Sequence, residues 1–229
     1  MTWQEANFQS HQVNKYVILT TYKGYLHVEP MPNLEDNSVF NAFDSTFNLF
    51  IRLGRKSQYH RMDSASSVAI EQYITTKPKV TVQYAPPTNH RTLQAERGIQ
   101  TFKNHFISGS GHVDQEFPMF LWGEPLEQCE ITMNSMIPYK PDPNISAYHG
   151  IYRKPFDFKA HPVQRPGIKM LVFDPPDPRE AWAPHGTEGF YIGPALKHCR
   201  CYRAWIPTTK AIRIADTAFF FPNPSTSRF

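Results

Sequence analysis

The sequence predicts an α/β domain that is followed by a small all-β domain. Strand-like and helix-like patterns alternate over the first 136 residues, whereas only short strands and turns follow residue 167. Proline contributes 21 of the 229 residues, nearly twice its usual share of about 5%, which disfavours a helical bundle. Apolar residues make up 40% of the chain, enough for one large or two modest hydrophobic cores.

The first elements are a predicted β-hairpin and an amphipathic helix. Tyr16–Thr20 is an apolar, β-branched run and Tyr25–Met31 alternates apolar with polar residues, so we expect Lys23-Gly24 in the turn between two strands. Apolar residues then recur at intervals of three and four from Leu34 to Ile51. This period predicts a helix that ends near Gly54.

Two strands and a short helix come next. Ser57–Met62 is predicted to be a strand that ends at Asp63, and Ser67–Ile74 a short helix. Lys79–Tyr84 alternates valine with polar residues before two prolines, which predicts another strand. The predicted order is therefore β-β-α-β-α-β.

The rest of the chain divides into two helices, a connector and a small barrel. Thr92 can cap a helix over Leu93–Ile107, and a second helix is predicted over Phe117–Met136. Residues 137–166 have no sustained period, which predicts a surface connector. We expect domains at 1–112, 113–166 and 167–229. The barrel strands are predicted at Ile168–Phe173, Gly189–Ile192, Cys201–Ile206, Ala211–Asp216 and Ala218–Phe221.

The positive charge is concentrated in the last third of the sequence. Residues 1–150 hold 12 basic and 14 acidic residues, a net charge of −2, whereas residues 151–229 hold 12 and 6, a net charge of +6. Either a solvated surface or contact with a polyanion explains this distribution. Tyr202 and Trp205 lie among these basic residues, and either join a basic surface or fill the core.

Neither a membrane span nor secretion is predicted. No window approaches the roughly 18 apolar residues that a membrane helix needs, and Met1–Gln12 lacks the basic and apolar regions of a signal peptide. The cysteines Cys129, Cys199 and Cys201 are odd in number, and the close pair is C-x-C rather than C-x-x-C. We therefore expect a nuclear or cytoplasmic protein with reduced thiols and no structural metal cage.

Two carboxylates are candidates for chemistry. Asp63 follows a predicted strand, and Glu96 lies in the first turn of a predicted helix, close to Arg97 and Lys103. Carboxylates are hard oxygen ligands for Mg²⁺, and phosphoryl transfer needs metals flanked by cations. A turn role for Asp63 and a favourable interaction of Glu96 with the helix dipole are the structural alternatives.

Several motifs resemble one protein family. The stretch YAPPTNHRTLQAERGIQTFKNHF at Tyr84–Phe106 closely resembles the end of the catalytic core of copia-like long-terminal-repeat retrotransposon integrases, where an Asn or His loop precedes an A-E-R helix. VEPM at Val28–Met31 and RMDSAS at Arg61–Ser66 are similar to earlier parts of that core. WAPHGTEGFYIGPALKHCRCYRAWIPTTKAIRIADT at Trp182–Thr217 is similar to the SH3-like domain that follows it.

The resemblance implies an RNase H-like core, a helical connector and an SH3-like barrel, with DNA integration by metal-dependent strand transfer as the function. Glu96 then takes the place of the last metal ligand and Asp63 that of the second, with Mg²⁺ or Mn²⁺ as cofactor and DNA and further copies of the chain as partners. The residues expected to contact DNA are Asn89, His90, Arg97, Lys103, Arg200, Arg203, Lys210 and Arg213.

One departure from the family affects the expected activity. The first of three carboxylates belongs on the first strand, but Thr2–Phe8 contains no Asp, and Glu5 has no family-like context. We therefore expect a core that lacks part of its first strand and does not complete strand transfer. The alternatives are a non-catalytic nucleic-acid-binding protein and an assembly module of a polyprotein.

Overall fold

The computed structural model describes residues 2–5, 14–55, 59–62, 68–76, 81–84, 94–111, 113–173 and 186–221. The chain forms two compact units. The first unit comprises Met1–His105 and Cys129–Phe156, and the second comprises Phe106–Gln128 and Asp157–Phe229. Helices and small sheets are both present, so the predicted α/β class is confirmed.

The first unit begins with a three-stranded antiparallel sheet in the order β1-β2-β3, formed by β1 (Thr2–Glu5), β2 (Tyr16–Tyr22) and β3 (Tyr25–Met31). The predicted hairpin is confirmed. Tyr22 pairs with Tyr25, and the two residues between them, Lys23 and Gly24, have φ of 52° and 96°. Positive φ at both positions is what a tight two-residue hairpin turn requires. β1 was not predicted from the sequence.

Helix α1 (Asp36–Arg52) lies on this sheet and confirms the predicted amphipathic helix. The parallel strands β4 (Tyr59–Met62) and β5 (Thr81–Tyr84) follow, with α2 (Val68–Thr76) between them. All three of these predicted elements are therefore present. A single core cluster joins the sheet to both helices through Ile18, Met31, Val39, Ala42, Phe43, Ile70 and Ile74.

Helix α4 (Leu126–Met136) covers the free edge of β3 with side chains. The Asn134 amide accepts a bond from the Leu26 N–H (2.8 Å) and donates one to the Leu26 carbonyl (2.7 Å). The Glu130 carboxylate accepts the Val28 N–H at 3.0 Å. Within the described residues β3 is an end strand, which otherwise presents unpaired backbone groups, and these bonds take the place of part of the pairing with a further strand.

Residues 137–166 differ from the predicted connector. They contain the strands β6 (Pro138–Tyr139) and β7 (Asp142–Ser146) and the short helix α5 (Ala147–Tyr152). Tyr139, Ala147 and Ile151 are buried in a cluster with Tyr25 and Phe50. The segment was missed because two-residue and six-residue elements are too short to display a hydrophobic period.

The second unit contains an open five-stranded antiparallel sheet in the order β11-β10-β9-β8-β12. The predicted strands are confirmed, but among the described residues β11 and β12 are the ends of the sheet and do not pair, so the sheet does not close into a barrel. The strands are β8 (Lys169–Phe173), β9 (Gly186–Pro194), β10 (Tyr202–Ile206), β11 (Ala211–Ala215) and β12 (Ala218–Phe220).

The two faces of this sheet hold separate apolar clusters. One face holds a cluster that includes Met170, Tyr191 and Ile206, whereas the other packs Phe190 and Trp205 against the 113–121 segment. That segment forms a single 3₁₀ turn at Met119–Leu121 rather than the start of the long helix predicted over Phe117–Met136. Gly123 and Pro125 interrupt the helical pattern there, so α4 begins at Leu126.

Helix α3 (Gln94–Ser110) confirms the helix predicted from Leu93. Gly98 lies in the first half of α3, where the helix packs against the sheet of the first unit. A Cβ at this position would lie 2.7 Å from Leu26 Cδ2 and 3.2 Å from both Leu19 Cδ2 and Thr21 Cγ2. Over the described part of the chain, no helix is both long and apolar enough to cross a membrane.

Gly150 of α5 provides a test of the packing in the unpredicted segment. A Cβ at this position would lie 2.3–2.6 Å from three ring atoms of the buried Tyr139, so Gly150→Ala is expected to lower the free energy of unfolding by about 1–3 kcal/mol. Gly109→Ala in α3 is the matched control, since its Cβ would meet no atom within 4 Å. Chemical denaturation measures both, and equal stability of the two variants would contradict the packing described.

Candidate functional site

Of the two predicted metal-ligating carboxylates, Glu96 is among the described residues and Asp63 is not. Asp63 follows Met62, the last residue of β4, and lies outside the described residues. Glu96 lies in the first turn of α3, and its side chain is half-buried. The neighbouring Ala95 and Gly98 are buried, so Glu96 lies at the border between the packed and the exposed faces of the helix.

The exposed face of the first half of α3 is basic and polar. Arg97 and Lys103 are exposed. Between and beside them, the Gln100 amide donates a hydrogen bond to the Asn104 side-chain oxygen at 3.0 Å, and the Thr101 hydroxyl donates to the Arg97 carbonyl at 2.9 Å. The face therefore offers two cations and several amide groups. Asn89 and His90, predicted beside them, lie outside the described residues.

In the second unit, the predicted DNA-contacting residues fall into two groups. Arg200 and Lys210 are exposed in the turns that flank β10, and both have left-handed φ values of 55° and 51°. Arg203 and Arg213 lie on strands and are half-buried. The Arg203 guanidinium forms an ion pair with the buried Glu124 carboxylate, and its Nη1 lies 3.9 Å from Glu127 Oε2.

Trp205 belongs to the core rather than to a basic surface. It is 3% exposed and meets the Phe120 ring edge-on, with ring centroids 5.7 Å apart and an interplanar angle of 84°. Tyr202 is half-buried and packs against the opposite cluster, where its ring meets Phe220. The two aromatic residues therefore pack on opposite faces of the sheet, and of the two predicted alternatives Trp205 takes the core position.

The first unit contains a buried ionic cluster that was not predicted from the sequence. The Tyr25 hydroxyl donates to Glu130 Oε1 at 2.5 Å, and His27 Nδ1 lies 3.1 and 3.0 Å from the two Glu130 oxygens. His27 Nε2 lies 3.3 Å from a Glu29 oxygen. The only sequence signal was a pair of polar residues at i and i+4, Glu130 and Asn134, within an otherwise apolar helix face.

These contacts change how the cluster titrates. Burial by itself lowers the pKa of His27, but the charge and hydrogen bonds of Glu130, together with those of Glu29, outweigh burial and raise the pKa to about 10. Burial and the adjacent Glu130 carboxylate raise the pKa of Tyr25 well above its ordinary value. At neutral pH the cluster therefore pairs a protonated His27 with a carboxylate, and its groups are occupied with each other.

Among the described residues, which do not include Asp63, no set of three histidine, cysteine or acidic side chains is arranged to hold a metal ion. The half-buried His60 of β4 packs against the Phe43 and Phe47 rings, and partial burial lowers its pKa to about 4. His60 is therefore neutral at physiological pH and belongs to the core.

Neither a protein-family model nor a curated protein matches the chain. Among solved structures, it is similar to a chain of the cryo-EM structure of the simian T-cell lymphotropic virus intasome in complex with PP2A regulatory subunit B56 gamma. The match covers 96% of this chain and 80% of that chain, with 12% sequence identity and a TM-score of 0.43. Such a likeness is too distant to carry an argument about activity.

The buried ion pair predicts how stability depends on pH. Because the pKa of His27 is raised from 6.5 to about 10 in the folded chain, its contribution is fully present below pH 6.5 and is lost as the pH rises through 10. The advantage of the wild type over His27→Gln, on the order of 2–5 kcal/mol at pH 6, should therefore shrink towards pH 10.

Denaturant titrations at several pH values measure this difference. Glu130→Gln is the companion variant. It removes the carboxylate that pairs with His27, and with it the pH-dependent part of the free energy of unfolding that this pair contributes. An identical pH profile for the wild type and His27→Gln would show that the pair does not form.

Proposed function

We propose that the chain is a retroelement integrase-type protein that binds duplex DNA and holds a divalent cation between Asp63 and Glu96. The observation that carries the proposal is the motif at Tyr84–Phe106, which closely resembles the end of an integrase core. Glu96 of this motif lies in the first turn of α3, and α3 packs closely on the sheet at Gly98. This packing holds the backbone of Glu96 in a fixed position, which a metal ligand requires.

The element order of the first unit supports an RNase H-like fold as part of this proposal. Three antiparallel strands are followed by a helix, a parallel strand, a second helix, a second parallel strand and then α3. β4 ends immediately before Asp63. In the second unit, the strand order β12-β8-β9-β10-β11 supports an SH3-like arrangement in which the last strand pairs with the first.

The residues of this chain suit Mg²⁺ or Mn²⁺. Both proposed ligands are carboxylates, which are hard oxygen donors. When bound, a pair of such ions activates a hydroxyl nucleophile and stabilises the leaving oxygen in phosphodiester chemistry. The contribution of the chain is to hold the ions with Asp63 and Glu96, and to position the DNA backbone with Arg97 and Lys103.

The second unit is proposed to bind DNA through its backbone phosphates. Arg200 and Lys210 are exposed cations in turns, where they reach phosphates without a rearrangement. Arg203 reaches a phosphate only by leaving the buried Glu124 carboxylate, which would then lack its cation. We therefore assign the larger share of binding in this unit to Arg200 and Lys210, with Arg213 beside them.

A non-catalytic nucleic-acid-binding protein is the second candidate function. It is favoured by the absence of Asp from Thr2–Phe8, where integrases carry their first ligand. With two carboxylates, the metal pair lacks a shared ligand. We therefore expect strand transfer from a DNA end to be undetectable in Mg²⁺ or Mn²⁺. Metal-dependent joining that Asp63→Asn abolishes would show that another residue, such as Glu5, completes the site.

Metal binding tests the acidic pair directly. Mn²⁺ is expected to stabilise the folded chain by about 1–3 kcal/mol at saturating concentration, as any ligand of the folded state does. Thermal unfolding measures this stabilisation as a rise in the midpoint temperature on adding Mn²⁺. This midpoint shift should vanish in Asp63→Asn and in Glu96→Gln. Asp36→Asn, in the first turn of α1, is the matched control and should keep the shift. An unchanged shift in Glu96→Gln would overturn the assignment of that residue.

DNA binding tests the basic residues. Affinity for duplex DNA should be independent of sequence, and its logarithm should fall with the logarithm of salt concentration by about 0.9 per phosphate contact. Arg200→Ala and Lys210→Ala should each reduce the slope by about 0.9, because each removes one contact. Arg52→Ala in α1 is the control. Salt-insensitive or undetectable binding would favour an assembly module instead.

A further inference from the structure

The turn between β9 and β10 contains two cysteines, Cys199 and Cys201, with one residue between them. Cys199 is exposed and Cys201 is half-buried, and neither is in a disulfide bond. Their sequence neighbours include two cationic residues, Lys197 and Arg200, and the ionisable His198. Thiols that react with oxidants are found in such accessible, electropositive surroundings, whereas buried structural thiols are inert.

The backbone conformation at Arg200 is compatible with a disulfide between its two neighbours. Arg200 between them has φ of 55°, in the left-handed helical region. A residue in a helical conformation of either hand separates its neighbouring Cα atoms by about 5.4 Å, which follows from helix radius and rise. Disulfides span Cα distances of about 4.4–6.8 Å, so the backbone need not move far to close one.

The side chain of Cys201 is already turned towards Cys199. Its thiol donates a hydrogen bond to the Cys199 carbonyl oxygen at 3.3 Å. The sulfur of Cys201 therefore lies next to the main chain of the residue with which it would bond. Exposed side chains change rotamer on a picosecond to nanosecond scale, so the remaining adjustment at Cys199 is fast.

We infer that Cys199 and Cys201 form an oxidation site, which hydrogen peroxide converts reversibly into an intramolecular disulfide. The exposed Cys199 sulfur attacks one peroxide oxygen, the O–O bond breaks, and a sulfenic acid and one water form. The Cys201 sulfur then attacks the sulfenic sulfur and releases a second water. Two thiols and one peroxide thus yield one disulfide and two waters, and a dithiol reverses the reaction.

Cys129 is the internal control within the same chain. It is 5% exposed in α4, and burial raises its pKa to about 12. A buried thiol that stays protonated is a poor nucleophile. Peroxide is therefore expected to leave Cys129 unmodified under conditions that oxidise the exposed pair.

Peptide mapping after peroxide treatment of the full chain tests the inference. Trypsin cuts after Arg200, between the two cysteines, so the resulting peptides stay joined only if a disulfide links them. We expect joined peptides from a chain that runs as a monomer on a non-reducing gel, and their separation by dithiothreitol. Joined peptides found only in a cross-linked dimer would overturn the inference.

The Cys201→Ser variant tests the order of the two steps. Both positions are solvent-accessible, so serine should leave the circular dichroism unchanged. With the second sulfur removed, the sulfenic acid on Cys199 persists, and dimedone should label it several-fold more than in the wild type. Cys129→Ala should behave as the wild type does. Equal dimedone labelling of Cys199 in the wild type and Cys201→Ser would contradict a paired site.

Discussion

The first unit depends on how the outer edge of β3 is satisfied. A strand at the end of a sheet leaves backbone donors and acceptors that must find partners if the strand is buried. Here the partners are side chains of α4, because Asn134 bonds both backbone groups of Leu26 and Glu130 accepts the Val28 N–H. The Glu130 carboxylate also accepts a hydrogen bond from the Tyr25 hydroxyl and contacts the His27 ring nitrogen. A helix thus fixes its position on the sheet by hydrogen bonds as well as by apolar contact.

The sequence predicted the elements whose pattern is local and long enough to read. The β2–β3 hairpin, α1 and α3 have clear alternation or a clear three-to-four residue period, and the structure confirms each. α5 was not predictable in this way, since its six residues hold only Ala147, Gly150 and Ile151 as a buried face, too few to show a period. The helix predicted over Phe117–Met136 is confirmed only from Leu126 onwards, because the apolar residues of the 117–121 segment, which contains a 3₁₀ turn, pack on the second sheet instead.

The candidate site was predictable only as far as residue type and local spacing allow. Glu96 was placed correctly in a first helical turn, since the apolar face of α3 defines where the helix begins. The ion pair between Arg203 and Glu124 could not be read from the sequence, because the partners are 79 positions apart and each carries an ordinary charge. For the same reason, His27 gave no signal of the carboxylate that holds it protonated.

The distance in sequence between β3 and α4 has a consequence for synthesis of the chain. The bonds that close the β3 edge join residues 102–108 positions apart. A ribosome that adds about 5–20 residues per second needs on the order of 5–20 s to reach α4 after β3 is made. The β2–β3 hairpin can form within about 10 μs, so each nascent chain carries an open, pairing-competent strand for seconds. Polysomes translating this message bring such strands close together, which makes the interval before Glu130 emerges the period of greatest exposure to misassembly.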